Sequence, residues 1–210
     1  MLDVHPPHEA AHTWKDFFIH VATICVGLLI AIGLEQTVEY IHQRHELQKA
    51  RIELRDETNE NRRIAAMQSA FILQMQAELN DDMAQLLAHR ATGQPITGRL
   101  HFDWNFRRVR SAAWTVNRQS GALSLMPHPE LAHYDYIFNT DTAVMDAAER
   151  WEVEIGIAQA IAQRSPDGTL SPQDTAELIT AVSDTQGQLI RTQRLVNFAK
   201  AALDDHTFDH

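Results

Sequence analysis

FFIHVATICVGLLIAIGL, residues Phe17 to Leu34, decides the reading of this chain. Its eighteen residues carry no formal charge, and most are strongly apolar. At about 1.5 Å of rise per residue a helix of that length spans about 27 Å, close to the hydrocarbon thickness of a bilayer. The stretch predicts a transmembrane helix, and the lipid bilayer is the first partner predicted. Trp14 precedes the run and Tyr40 follows it. About 39 Å separates them along a helix, near the full width of a bilayer with its headgroups, so the two rings are the expected interface anchors. A buried core helix needs less length. A cleaved signal peptide would carry a basic cluster before the run and a small-x-small site after it.

The side of the membrane that holds the remaining chain stays open. Lys15 is the one Lys or Arg before the span, whereas Arg44, Lys49, Arg51 and Arg55 follow it. That count leans towards a cytoplasmic C-terminal part by the positive-inside rule. The same four cations are interleaved with Glu46, Glu53 and Asp56, as on a charge-laced helix, and a short head with one anchor and an exported domain is a common arrangement. The expected location is the bacterial inner membrane, crossed once.

The 210 residues are 44% hydrophobic, enough for one anchor and one domain with its own core. Net charge is -10 with His neutral. From Ala122 to Leu189 eleven Asp or Glu face only Arg150 and Arg164. Such a surface repels nucleic acid and anionic lipid, so no nucleic-acid partner is expected. Arg107, Arg108, Arg110 and Arg118 are the local exception, read as a solvated face or as partners of the acidic half. The one cysteine, Cys25, lies inside the span, which excludes a disulfide framework within one chain.

Outward from the span the chain reads as helix. Between Trp14 and Thr92 there is no Pro, and the only Gly residues are Gly27 and Gly33. Thr58-Asn59-Glu60-Asn61 is the one place where side chains that compete for backbone partners invite a break. Beyond it Ile64, Met67, Phe71, Met75, Leu79, Met83 and Leu86 recur at three or four, an amphipathic stripe. Thr92-Gly93-Gln94-Pro95 ends the helix. Arg99 to Trp104 alternates weakly, as a short extended piece. A helix is predicted around Phe106 to Gln119, with Phe106, Val109, Ala113 and Val116 on one face. From Pro129 to Gln163 the stripe is Leu131, Tyr134, Phe138, Met145, Ala148, Trp151, Ile155 and Ala158, with Asp141 interrupting it and a kink expected near Asn139-Thr140. Ser165-Pro166-Asp167-Gly168 is a turn. Ser171 caps a last helix with Pro172 at its first position. Its stripe is Ile179, Val182, Leu189, Val196, Ala199 and Leu203.

The fold class predicted is all-α: an N-terminal transmembrane helix continuing into a helical stalk, then an antiparallel three- or four-helix bundle. The boundaries read as a polar His-rich head at 1–13, the membrane helix with its flanks at 14–41, a charged stalk at 42–63, the bundle at 64–205 and a disordered tail at 206–210. In the stalk, Asn61 and Gln68 fall on the seven-residue spacing that follows Leu47 and Leu54, which weakens the case for coiling.

His12-Thr13-Trp14-Lys15-Asp16-Phe17, then GLLIAIGLEQTVEY at Gly27 to Tyr40, then Ala113-Trp114 and GALSLMP at Gly121 to Pro127, resemble a recurring family of uncharacterised bacterial single-pass membrane proteins. The resemblance is most specific over the first fifty residues. It implies a bacterial source and one N-terminal anchor. It supplies no activity and no catalytic residue.

Several constellations invite chemistry. Thr23, Gly27 and Ala31 stand at i, i+4 and i+8 of the span, with Glu35 one turn on. Small residues at that spacing let two helix backbones approach, so they are a candidate helix–helix interface, with a second copy or another membrane helix as partner. His20, about one turn inside the run, reads as snorkelling to the interface. His8-Glu9-Ala10-Ala11-His12 matches the H-E-x-x-H zincin pattern, but a thirteen-residue head leaves no room for a protease fold. His5, His8 and His12 remain weak metal ligands. Glu39 with His42 and Glu130 with His133 are two Glu-x-x-His pairs of the kind that di-iron bundles use, yet the other stripes offer few inward carboxylates. No catalytic residue and no cofactor is assigned. The function expected is a non-catalytic interaction or scaffold module. The alternatives are a ligand-sensing bundle that signals through a separate partner and, behind it, a metal-dependent oxidoreductase.

Overall fold

The computed structural model describes residues 14–165, 167–205 and 207–208. It is all-helical, with no strand among the described residues. The elements are α1 (Trp14–Thr92), α2 (Ala112–Ser120), a 3-10 turn (Ala122–Leu125), α3 (His128–Ala162) and α4 (Pro172–Leu203). The chain divides into two compact units, Met1–Gln48 and Lys49–His210.

In the first unit α1 is apolar on every side. Its most apolar 18-residue window has a mean hydropathy of 2.5, with none of it buried. Phe17, Leu28, Leu29 and Leu34 are all exposed. This part of α1 is long and apolar enough to cross a membrane. His20 Nδ1 lies 2.8 Å from the Asp16 carbonyl, one turn towards the helix start.

The second unit begins at Lys49, earlier than the boundary read at residue 64. Ala50, Leu54, Glu57, Thr58 and Asn61, all within the stretch read as stalk, are buried. The helix is continuous through Thr58 to Asn61, as the Pro-free run from Trp14 to Thr92 reads, and the break those side chains invite is not made. The Thr58 hydroxyl donates back to the Arg55 carbonyl, and the Asn61 amide bonds to other segments instead of capping a helix end. Inward positions of α1 then alternate by three and four: Asn61, Ala65, Gln68, Ile72, Met75, Leu79, Asp82, Leu86 and His89. That is a seven-residue repeat, as in coiled-coil packing. Met67 falls outside it and is 51% exposed, although it belonged to the predicted stripe.

Three long helices build this unit. α4 runs antiparallel to α1: Gln193 meets Ser69, Gln186 meets Asn80, and His89 meets the Leu170 carbonyl. α3 runs parallel to α1: Arg51 meets Glu130, Asn61 meets Asp141, and Phe71 stacks on Trp151. A parallel pair needs a return connection, and an extended segment supplies it. Residues 99–111 form a strap that runs back along α1 and ends in α2. The helix predicted from Phe106 therefore starts only at Ala112. The physical reason is period two: Phe102 and Phe106 are buried and Trp104 is half-buried, as alternate side chains of an extended chain point the same way. Trp104 lies 4.3 Å and Phe106 5.6 Å from the Trp151 ring, between centroids.

α3 is one unbroken helix through Asn139-Thr140. Asn139 donates to Asp135 and Thr140 to the Tyr136 carbonyl, so both side chains are satisfied on the helix surface. The predicted α4 start is seen: the Asp174 N–H donates to Ser171 Oγ at 3.0 Å, with Pro172 in the first turn. Most residues of the predicted stripes are buried, with Trp151, Val182, Leu189 and Val196 at 0% exposure; Leu131, Met145 and Ile179 are only half-buried, and Ile137, Val144 and Leu178 take core places beside them.

Candidate functional site

The most organised polar feature of the chain is a ladder on the inner face of α1. It was not assigned from sequence. Five side chains of α1 take hold of backbone groups elsewhere. Glu57 accepts from the N–H groups of Ala113 and Trp114, both at 3.1 Å, and so caps α2, whose own N-cap Ser111 makes no side-chain bond. Asn61 Nδ2 donates to the Arg110 carbonyl, and Asn61 Oδ1 accepts from the Arg110 N–H, each at 2.8 Å. Gln68 donates to the Arg107 carbonyl at 2.7 Å. Asp82 accepts from the His101 N–H at 2.8 Å and faces His101 Nδ1 at 2.9 Å. His89 places one ring nitrogen 2.6 Å from the Gln94 carbonyl and the other 3.1 Å from that of Leu170.

An extended segment with no neighbouring strand leaves its N–H and C=O groups unpaired, and burying an unpaired group costs about 1–3 kcal/mol. The ladder supplies the missing partners. The recoverable signal was the spacing. Asn61, Gln68, Asp82 and His89 stand at multiples of seven, with Met75 filling the remaining place.

Asp141 is the strongest electrostatic anomaly. Its carboxyl on α3 is buried, and Oδ2 accepts from Asn61 Nδ2 at 2.9 Å. Removal from water pushes its pKa up to about 7, against the Asn61 hydrogen bond, and the nearby Glu57 charge pushes the same way. Burial also raises Asp82, with the His101 bonds opposing.

The predicted metal ligands fall elsewhere. His8 and His12 lie outside the described residues. Glu39 accepts from Gln43 at 2.7 Å, and His42 is exposed. Glu130 is buried and bound on both oxygens by Arg51, at 2.7 and 2.6 Å, which pushes the Arg51 pKa up. His133 faces Asp205 at 3.7 Å and the Phe208 ring at 5.2 Å. The structure therefore points Glu130 and His133 at different partners, and among the described residues no group of three or more His, Cys, Asp or Glu could hold a metal ion.

On the apolar part of α1, Thr23, Gly27 and Ala31 are exposed, and a Cβ added at Gly27 would meet nothing within 4 Å. The Thr23 hydroxyl donates to the Ile19 carbonyl at 2.9 Å, so that face carries no free donor at Thr23. Trp14 is 79% and Tyr40 62% exposed. A cleft of about 600 Å³ opens between residues 96–103 and the α3–α4 turn, lined by Leu100, Phe102, Gln159, Gln163 and Leu170 among others. Comparison of the chain with protein-family models, with curated proteins and with solved structures gives no match.

Proposed function

We propose that this chain is a membrane-tethered, non-catalytic helical interaction or scaffold module of the bacterial inner membrane. The observation that carries the reading is the exposed apolar length of α1 in the first unit, on the same chain as a bundle with its own core. The bundle's buried polar side chains on α1 support it, because Glu57, Asn61, Gln68, Asp82 and His89 are engaged with the chain's own backbone. The membrane helix associates with a second copy through Thr23, Gly27 and Ala31, where small side chains permit close backbone approach. The basic residues after the span favour a cytoplasmic bundle.

An in-membrane association assay on the isolated span tests this. The wild-type span should signal above a monomeric control, and Gly27→Ile should abolish the signal without preventing insertion. A wild-type span indistinguishable from the control rejects self-association. Fusion of alkaline phosphatase to the C-terminus should be inactive and a fluorescent-protein fusion bright; the reverse pair places the bundle outside.

One observation favours a second reading, a ligand-sensing bundle that acts through a separate partner. The cleft beside Leu100 and Gln163 is of the size that holds small molecules. A small-molecule-dependent rise in melting temperature, lost on filling the cleft with Ala162→Trp, would support it.

A further inference from the structure

Buried carboxyls are costly unless paired with a cation or kept neutral. Asp141 is 2% exposed, and no ion pair holds it among the described residues. Its hydrogen-bond partner is the uncharged Asn61 amide. The charge that bears on it is that of Glu57, also buried, one helical turn from Asn61 on α1. The strap contributes the Arg110 backbone here, while the Arg107, Arg108 and Arg110 side chains are exposed, and Arg108 is turned to Glu149. Three elements therefore meet at one neutral amide between two carboxyls.

We propose that Asp141, Asn61 and Glu57 form a proton-operated latch on the strap: while the Asp141 carboxyl keeps its proton the Arg107–Trp114 end stays clamped to α1, and loss of that proton releases it.

The path of release follows from what covers the site. A charged Asp141 beside Glu57 demands water. Behind it lie Val144 of α3, at 0% exposure, and the buried cluster of Ala65, Ile137, Ala202 and Leu203, where α4 meets this end of α1 and Arg62 pairs with Asp204. In front of it lies a single extended chain whose residues 107, 108 and 110 already face solvent. That chain is held there by Gln68, Asn61 and Glu57. Displacing it hydrates both carboxylates and frees Asn61 without disturbing the seven-residue packing of α1. The same displacement uncaps α2, because Glu57 holds its first N–H groups. The released element is thus a defined segment, 107–120, and not the whole bundle.

Hydrogen exchange on the full chain in nanodiscs, corrected for intrinsic rates, tests the latch. Between about pH 6 and about pH 8.5 the wild-type peptide 107–114 should lose protection about tenfold or more, while peptides within 189–199 of α4 keep theirs. Asp141→Asn, which cannot ionise and still accepts from Asn61, should keep 107–114 protected at both pH values. Should that variant fail to fold, Glu57→Gln provides the second arm. That arm is read on residues 107–112, because Glu57 also holds the Ala113 and Trp114 N–H groups: with the neighbouring charge gone, 107–112 should lose less protection at about pH 8.5 than in wild type, and an equal or larger loss overturns the proposal. Equal wild-type protection at both pH values overturns the proposal. So does the same loss in Asp141→Asn, or a loss shared by α4.

Discussion

Asn61 of α1 and Arg110 of the strap exchange two hydrogen bonds, each 2.8 Å, from one side-chain amide to one residue's backbone N–H and C=O. A helix side chain thereby does what a neighbouring strand does in a sheet. Removing it leaves two part-buried backbone groups and the buried Asp141 carboxyl without that partner. Asn61→Leu should destabilise the bundle by about 3 kcal/mol. Asn105→Ala, on the exposed side of the same strap, should stay within about 0.5 kcal/mol. Chemical denaturation of both variants checks this. Equal small losses would mean that the ladder does not hold the strap.

The pH dependence of stability follows from Asp141. Its folded pKa of about 7 lies above the unfolded carboxyl value, so the folded state holds the proton more tightly. The unfolded state binds fewer protons between those two values, and stability must fall as pH rises through that window. Asp141→Asn removes the dependence. It should be nearly neutral near about pH 4 and should stabilise by a few kcal/mol, at most about 4, at about pH 8.5. Melting curves of the two proteins across that range measure the difference.

Trp151 sits at 0% exposure, with Trp104, Phe106 and Phe71 around it. Trp151→Ala should cost about 3–5 kcal/mol, whereas Glu152→Ala should do little. A matched pair of thermal melts decides. Comparable effects would place the helix phase elsewhere.

Gly168 has φ +77, and its carbonyl accepts from the Ile96 N–H at 3.0 Å. A Cβ there would also press on the Ile96 carbonyl oxygen. Gly168→Ala should therefore destabilise by about 1–2 kcal/mol from the left-handed backbone, and more from the close approach. Gly187→Ala, where a Cβ meets nothing within 4 Å on a helix, should be neutral or mildly stabilising. A common sign for the two would refute the contact.

The long helices were legible because their apolar residues recur at helical spacing over many turns. Trp151, Ile155, Val182 and Val196 were all placed on inward stripes and are inward. The cap at Ser171 was legible from Ser-Pro alone. The strap was not. Its period-two signal, Phe102, Trp104 and Phe106, is short, and the helix-forming run after it masked the change. The ladder was illegible for a different reason: Asn61, Gln68 and Asp82 look like surface residues until the chain they bind is known. The polar residues at the seven-residue positions Asn61 and Gln68 weaken the case for a coiled coil with an apolar partner helix. That spacing marks buried positions whose partners are backbone groups and not apolar side chains. Asp141 likewise read as an interruption of a stripe, and it lies on the stripe opposite Asn61.

Alkaline carbonate extraction of membranes tests the central claim, a bundle tethered by α1, most directly. The full chain should stay in the membrane pellet, and a chain starting at Lys49, where the second unit begins, should be soluble and folded. Release of the full chain into the supernatant would contradict the account.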